Sequence, residues 1–132
     1  PIYLPIEIAT PAGMIVCELI TNIFKYAFPD QHPGEATIRL LADNETIRII
    51  VSDNGVGLPL DIDTENPTSF GWRLICALRN QLNATTRIGR NNGTSVTLTF
   101  PAPPQPSPSA PPSADSSVRL RTQTIATTPA TR

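Results

Sequence analysis

Near the start of the chain Leu4, Ile6 and Ile8 fall on one side of an extended segment, with Tyr3 and Glu7 on the other, as in a half-buried strand. Thr10 and Pro11 then offer an N-cap and a first-turn proline, which predicts a helix over residues 10–28 stopped by Pro29. On that helix Val16, Leu19, Ile20, Ile23 and Ala27 gather into an apolar stripe expected to face a sheet, and Glu18, Asn22 and Lys25 gather on the opposite side. Met14, Ile15, Phe24, Tyr26 and Phe28 carry apolar surface round toward the polar residues, so something is expected to cover that side as well.

The runs "ATIRLLA" and "TIRIIVS" are rich in β-formers and are separated by "DNE", the pattern of a hairpin turning at residues 43–45. A Gly/Pro/Asp/Asn-rich loop follows over residues 54–68. Ser69 can cap a second helix running to about residue 82, after which "TTRIGR", "NNG" and "TSVTLTF" form a second hairpin. The order β-α-β-β-loop-α-β-β predicts an α/β fold: a two-layer sandwich, its helices on one face of a mixed, mostly antiparallel sheet.

Composition divides the chain after Phe100. The remainder is rich in Pro, Ser, Thr and Ala, with too little apolar surface to offset its ordering entropy. Residues 102–132 are therefore expected to form a disordered tail, partly polyproline II, and residues 1–101 the folded domain. A chain of 132 residues, 39% of them hydrophobic, suits one domain with a modest core. Its formal charge of −1 and pI near 5.7 exclude the basic excess that would hold nucleic acid or an anionic membrane surface, so any anionic ligand must be held locally. Cys17 and Cys76 lie within apolar stretches and read as buried free thiols in a reducing, cytoplasmic setting. No uninterrupted apolar run reaches the roughly 20 residues of a membrane span, so no membrane contact is expected.

Two constellations carry chemistry. Glu18, Asn22 and Lys25 put a proton acceptor, a metal-ligating oxygen and a phosphate partner in one line, as nucleotide chemistry with Mg²⁺ needs. The same three residues would also suit a solvated helix face. In "IIVSDNGVGLP" an apolar strand leads into Asp53, followed by Gly55 and Gly57; the strand end fixes the carboxylate, and the glycines let backbone approach a ligand. A carboxylate in an apolar slot can accept from an exocyclic amine such as adenine's, and the motif alone would equally suit a capped turn.

"CELITNIFKYAFP" and "SDNGVGLP" resemble the N and G1 boxes of the GHKL or Bergerat-fold ATPases, the superfamily of histidine kinases, DNA gyrase, Hsp90 and MutL. "SFGWRLICALRNQL" and "NNGTSVTLTFP" extend the likeness to sensor histidine kinases of the HWE and related groups, over residues 1–101. The resemblance implies a magnesium-ATP-binding catalytic domain of a two-component kinase. In it Asn22 would ligate Mg²⁺, Glu18 would orient or deprotonate the attacking group, and Lys25 would contact phosphate. Asp53 would bind the adenine amine, Gly55 and Gly57 would shape the base pocket, Thr94 would assist Asp53, and Gly71 would place a helix N-terminus near phosphate. The lid stretch departs from the pattern in its single glycine, and Phe70 and Trp72 stand where smaller aliphatic residues are expected.

The only histidine, His32, lies in the turn "PDQHPGE" and lacks a helical setting. A phosphoacceptor histidine on dimerisation helices would then come from elsewhere in a longer chain or from a partner, with a response regulator downstream. Two other readings share the boxes: an anti-sigma-factor-type serine kinase, and a nucleotide-binding interaction module without transfer activity.

Overall fold

A computed structural model describes residues 2–31, 33–58, 62, 63, 65–105 and 117–120; His32 lies outside them. Strand β1 (Ile2–Pro5) passes directly into helix α1 (Ile6–Asn22). The strand is thus shorter than the alternating pattern suggests, and the helix starts before Thr10. Pro5 is the N-cap residue, with extended backbone and no capping side chain, and Pro11 sits inside the helix. An interior proline costs about 3 kcal/mol in an isolated helix. Here Pro11 and Ala12 are buried, and that packing outweighs the lost hydrogen bond.

The buried residues Pro11, Ile15, Leu19, Ile23 and Ala27 recur every four positions. A strict α-helix would rotate such a stripe by about 40° at each step. The wider π-helical turn over Ile23–Ala27 counters this drift and keeps Ala27 in the core. Val16 and Ile20, expected in the stripe, are only half-buried, and Cys17 falls off it and is exposed rather than buried. By length and composition alone Ile6–Ala27 could cross a membrane, contrary to the sequence expectation. In this fold its buried stripe belongs to the core.

Strands β2 (Ala36–Ala42), β3 (Thr46–Asp53), β4 (Thr85–Gly89) and β5 (Ser95–Pro101) form one sheet in the order β2-β3-β5-β4, antiparallel at every pairing. The β2–β3 turn is tied by Asp43, whose Oδ1 accepts from the N–H of Glu45 (2.9 Å) and of Thr46 (2.7 Å). On the inner face Ile47, Ile49 and Val51 stand opposite Phe100, Leu98 and Val96, and all six are buried. Alternate residues Arg48, Thr97 and Thr99 face outward, as the period of two requires. Each large aliphatic side chain so buried contributes about 1.5–3 kcal/mol.

Helix α2 (Phe70–Gln81) is capped by Ser69, whose hydroxyl accepts from the Trp72 N–H at 3.4 Å. It ends in a Schellman turn: Asn83 is left-handed (φ 50°), and the Ala84 N–H reaches back to the Arg79 carbonyl at 2.9 Å. Trp72 and Ile75 are buried in the common core, and α2 packs on α1. The α/β sandwich is therefore as expected, and the helix that covers the polar side of α1 is α2.

The sequence expectation differs from the structure in the tail. Ser117–Leu120 forms strand β6, antiparallel to β1, with Ile2 opposite Leu120 and Leu4 opposite Val118. A four-residue strand paired with the far end of the chain leaves no local signal in a proline-rich composition. Residues 106–116 and 121–132 lie outside the described residues.

Candidate functional site

The end of β3, the start of β5 and the C-terminal half of α1 converge on a pocket of about 380 Å³, its open mouth included. Asp53 is fixed there by backbone alone. Its N–H donates to the Thr94 carbonyl at 2.8 Å, and its Oδ1 accepts from the N–H of Gly55 (2.8 Å) and of Thr94 (3.3 Å). Oδ2 takes part in no hydrogen bond among the described residues, so the carboxylate keeps an acceptor for a ligand. The Thr94 side chain, 7% exposed, accepts from the Leu58 N–H at 2.8 Å and holds the loop after β3 against β5.

Gly57 adopts φ +82°, a left-handed conformation that glycine takes without strain. Gly55 is needed for space: a Cβ there would run into the Ala27 backbone carbonyl, which also accepts from the Val56 N–H at 2.9 Å. The π-helical turn at the end of α1 thus seats the glycine loop, and through it Asp53.

Asn22, Asp53, Gly57 and Thr94 all line the pocket. Asn22 therefore does not lie on a side of α1 opposed to the stripe, because Leu19 and Ile23 line the same cavity. Its Nδ2 is buried and has no hydrogen-bond partner among the described residues. A buried amide left unpaired costs stability that a ligand can restore. Glu18 is half-buried against the first turn of α2, its carboxylate meeting Gly71, so neither is part of a solvated face. Lys25 is exposed and does not line the pocket.

Apolar walls come from Leu19, Ile23, Val51 and Val96, and aromatic surface from Tyr26 and Trp72. Trp72 is 6% exposed and belongs to both core and pocket, whereas Phe70 is 73% exposed. Tyr26 and Leu58 are pocket residues that the sequence reading does not single out. The signal for Tyr26 was its position four residues after Asn22, on the same helical face. Among the described residues no group of three or more His, Cys, Asp or Glu side chains forms a metal cage. The arrangement suits a flat, partly apolar ligand carrying a hydrogen-bond donor for Asp53 and an acceptor for the Asn22 Nδ2.

Residues 8–104 match the model of the family described as histidine kinase-, DNA gyrase B- and HSP90-like ATPase. The chain is 33% identical over 99 residues to blue-light-activated histidine kinase 2 of Erythrobacter litoralis, across 74% of this chain and 29% of that protein. It is 32% identical over 97 residues to sensor histidine kinase PdtaS of Mycobacterium tuberculosis, across 70% of this chain and 19% of that protein. The chain thus spans less than a third of the length of either relative. Among solved structures it is similar to the histidine kinase domain of the Erythrobacter litoralis EL346 blue-light activated histidine kinase, with a TM-score of 0.70 and 33% identity over 75% of this chain and 46% of that one. The mycobacterial sensor histidine kinase MprB shares the fold at a TM-score of 0.56 and 17% identity, over 73% of this chain and 75% of that one.

Proposed function

Since this chain belongs to the family of histidine kinase-, DNA gyrase B- and HSP90-like ATPases, we propose that residues 1–101 are the catalytic domain of a cytoplasmic two-component sensor histidine kinase. In this reading the domain binds Mg-ATP and passes the γ-phosphoryl group to a histidine on a separate dimerisation domain, from which a response regulator receives it. The observation that carries it is the meeting, in one pocket, of the backbone-fixed Asp53 carboxylate and Asn22, whose buried Nδ2 has no partner among the described residues.

Asp53 accepts from the adenine amine, and Gly55 and Gly57 hold the loop that shapes the base slot. Thr94 supports both through Leu58 and through its own backbone contacts with Asp53. Asn22 would hold Mg²⁺ through its side-chain Oδ1, the one oxygen it offers, with substrate phosphates and water at the ion's other positions. When bound, the ion would neutralise charge on the phosphates. Glu18, half-buried against the α2 N-terminus, orients or deprotonates the incoming imidazole. Gly71 keeps that N-terminus close, and Lys25, exposed on the adjoining turn, reaches phosphate from the open side. The kinase names of the similar proteins favour transfer to histidine over the serine-kinase and non-catalytic alternatives.

Calorimetry with ATP and GTP, each with and without Mg²⁺, tests the pocket. ATP is expected to bind more tightly with the metal present and GTP at least ~10-fold more weakly, because guanine seated in the same way turns its O6 carbonyl, an acceptor, toward Asp53. Equal affinities for the two nucleotides would overturn the assignment of Asp53. Glu18→Gln should keep nucleotide affinity within a few-fold while transfer to an added acceptor domain falls by about 10²-fold or more, and Asn22→Ala should lose both. Transfer by Glu18→Gln at the parental rate would make the carboxylate structural.

A further inference from the structure

Strand β1 stands outside the four-stranded sheet, and both of its edges are occupied by residues that follow β5. On one edge the Gln105 side chain pairs with Tyr3 as a backbone would: its Oε1 accepts from the Tyr3 N–H at 3.0 Å, and its Nε2 donates to the Tyr3 carbonyl at 3.1 Å. A third bond, from Nε2 to the Pro103 carbonyl at 3.0 Å, fixes the amide. Backbone groups of successive strand residues point to opposite edges, so Ile2 and Leu4 face β6, opposite Leu120 and Val118. The Leu4 side chain is fully buried and belongs to the core cluster, which ties β1 to the rest of the fold.

We propose that β1 is a strand-docking edge whose occupant is this chain's own Ser117–Leu120 segment, and that this clasp keeps β1 from pairing with a second copy. Without β6, the N–H and C=O groups of Ile2 and Leu4 that face it would stand open on an uncharged edge, a template for another strand. The tether between Gln105 and Ser117 is residues 106–116, which at about 3.3 Å per residue can span more than 30 Å, ample to close the clasp within one molecule. An occupant on a short tether is held at an effective concentration of about millimolar, so the intramolecular strand outcompetes a second copy at ordinary protein concentrations. The proposal is independent of what the pocket binds.

Hydrogen exchange on the full chain tests it, alongside Val118→Pro, which removes the N–H opposite Leu4, and a chain ending at Gln105. The Ile2 and Leu4 amides are expected to be protected in the full chain at every concentration, and to exchange about tenfold faster or more in both variants. Amides of Ile49 and Leu98, in strands paired on both sides, should stay protected and so show that the variants are folded. The truncated chain should self-associate in sedimentation, and a peptide of residues 115–122 should dissociate it and restore protection. Unchanged exchange at Ile2 and Leu4 in the variants would overturn the docking. Protection in the full chain that appears only with rising concentration would assign β6 to a second copy. A truncated chain that stays monomeric would overturn the blocking role.

Discussion

Gly71 and Glu18 meet across the α1–α2 interface: a Cβ at position 71 would stand where the Glu18 carboxylate lies, and 3.1 Å from its Cδ. The obstacle is the far end of a flexible side chain, so Gly71→Ala should fold, with a melting temperature within a few degrees of the parent. It would do so by turning the carboxylate away. Phosphoryl transfer should fall by about tenfold to a hundredfold, the usual cost of displacing a catalytic group by an ångström or so, while ATP affinity changes much less. Transfer at the parental rate would mean that the position of Glu18 is unimportant.

Gly55 makes the opposite case, because what its Cβ would meet is the Ala27 backbone carbonyl, which cannot swing aside. Gly55→Ala is expected to lower stability by about 1–3 kcal/mol, as overpacking does, and to loosen Asp53 with it. Gly13, on the exposed side of α1, has nothing within 4 Å of its Cβ position, and Gly13→Ala should raise stability by up to about 1 kcal/mol through helix propensity. Urea titration of both variants measures the contrast, and a neutral Gly55→Ala would separate the π-helical turn from the glycine loop.

Asp43 gives a pH signature. The backbone N–H groups of Glu45 and Thr46 favour its ionised form and hold its pKa below the ordinary 3.8. The group is depressed on folding, so its contribution to stability is present above the unfolded pKa and is lost as pH falls through the folded one. Asp43→Ala should therefore melt below the parent near neutral pH, and the gap should narrow in acid beneath the depressed pKa. Asp63, held down in the same way by the N–H groups of Asn66 and Glu65, follows the same rule. Thermal melts of the parent and Asp43→Ala across the acid range would show it; a gap independent of pH would remove the carboxylate from the account.

The two hairpins, the Ser69 cap and the inward face of β3 and β5 were legible because each is a local pattern of period two or a capping residue beside the element it caps. The start of α1 was not. Thr10 and Pro11 carry a strong local signal, yet burial of Pro11 and Ala12 admits a proline inside a longer helix. Asn22 was set on the side opposed to the stripe, yet it stands three residues from Leu19, about 60° around an α-helix, and lines the same pocket. The contacts of Gln105 and β6 with β1 span almost the whole chain, and no pattern within the tail announces them.

Trp72 is the only tryptophan of the chain and is buried in the wall of the pocket. Its indole emission therefore reports on one place in the molecule, with no second fluorophore of its kind to dilute the signal. A ligand arriving beside Asp53 changes the polarity and quenching around that ring, so occupancy can be followed optically, without a label, in stopped-flow mixing as readily as at equilibrium.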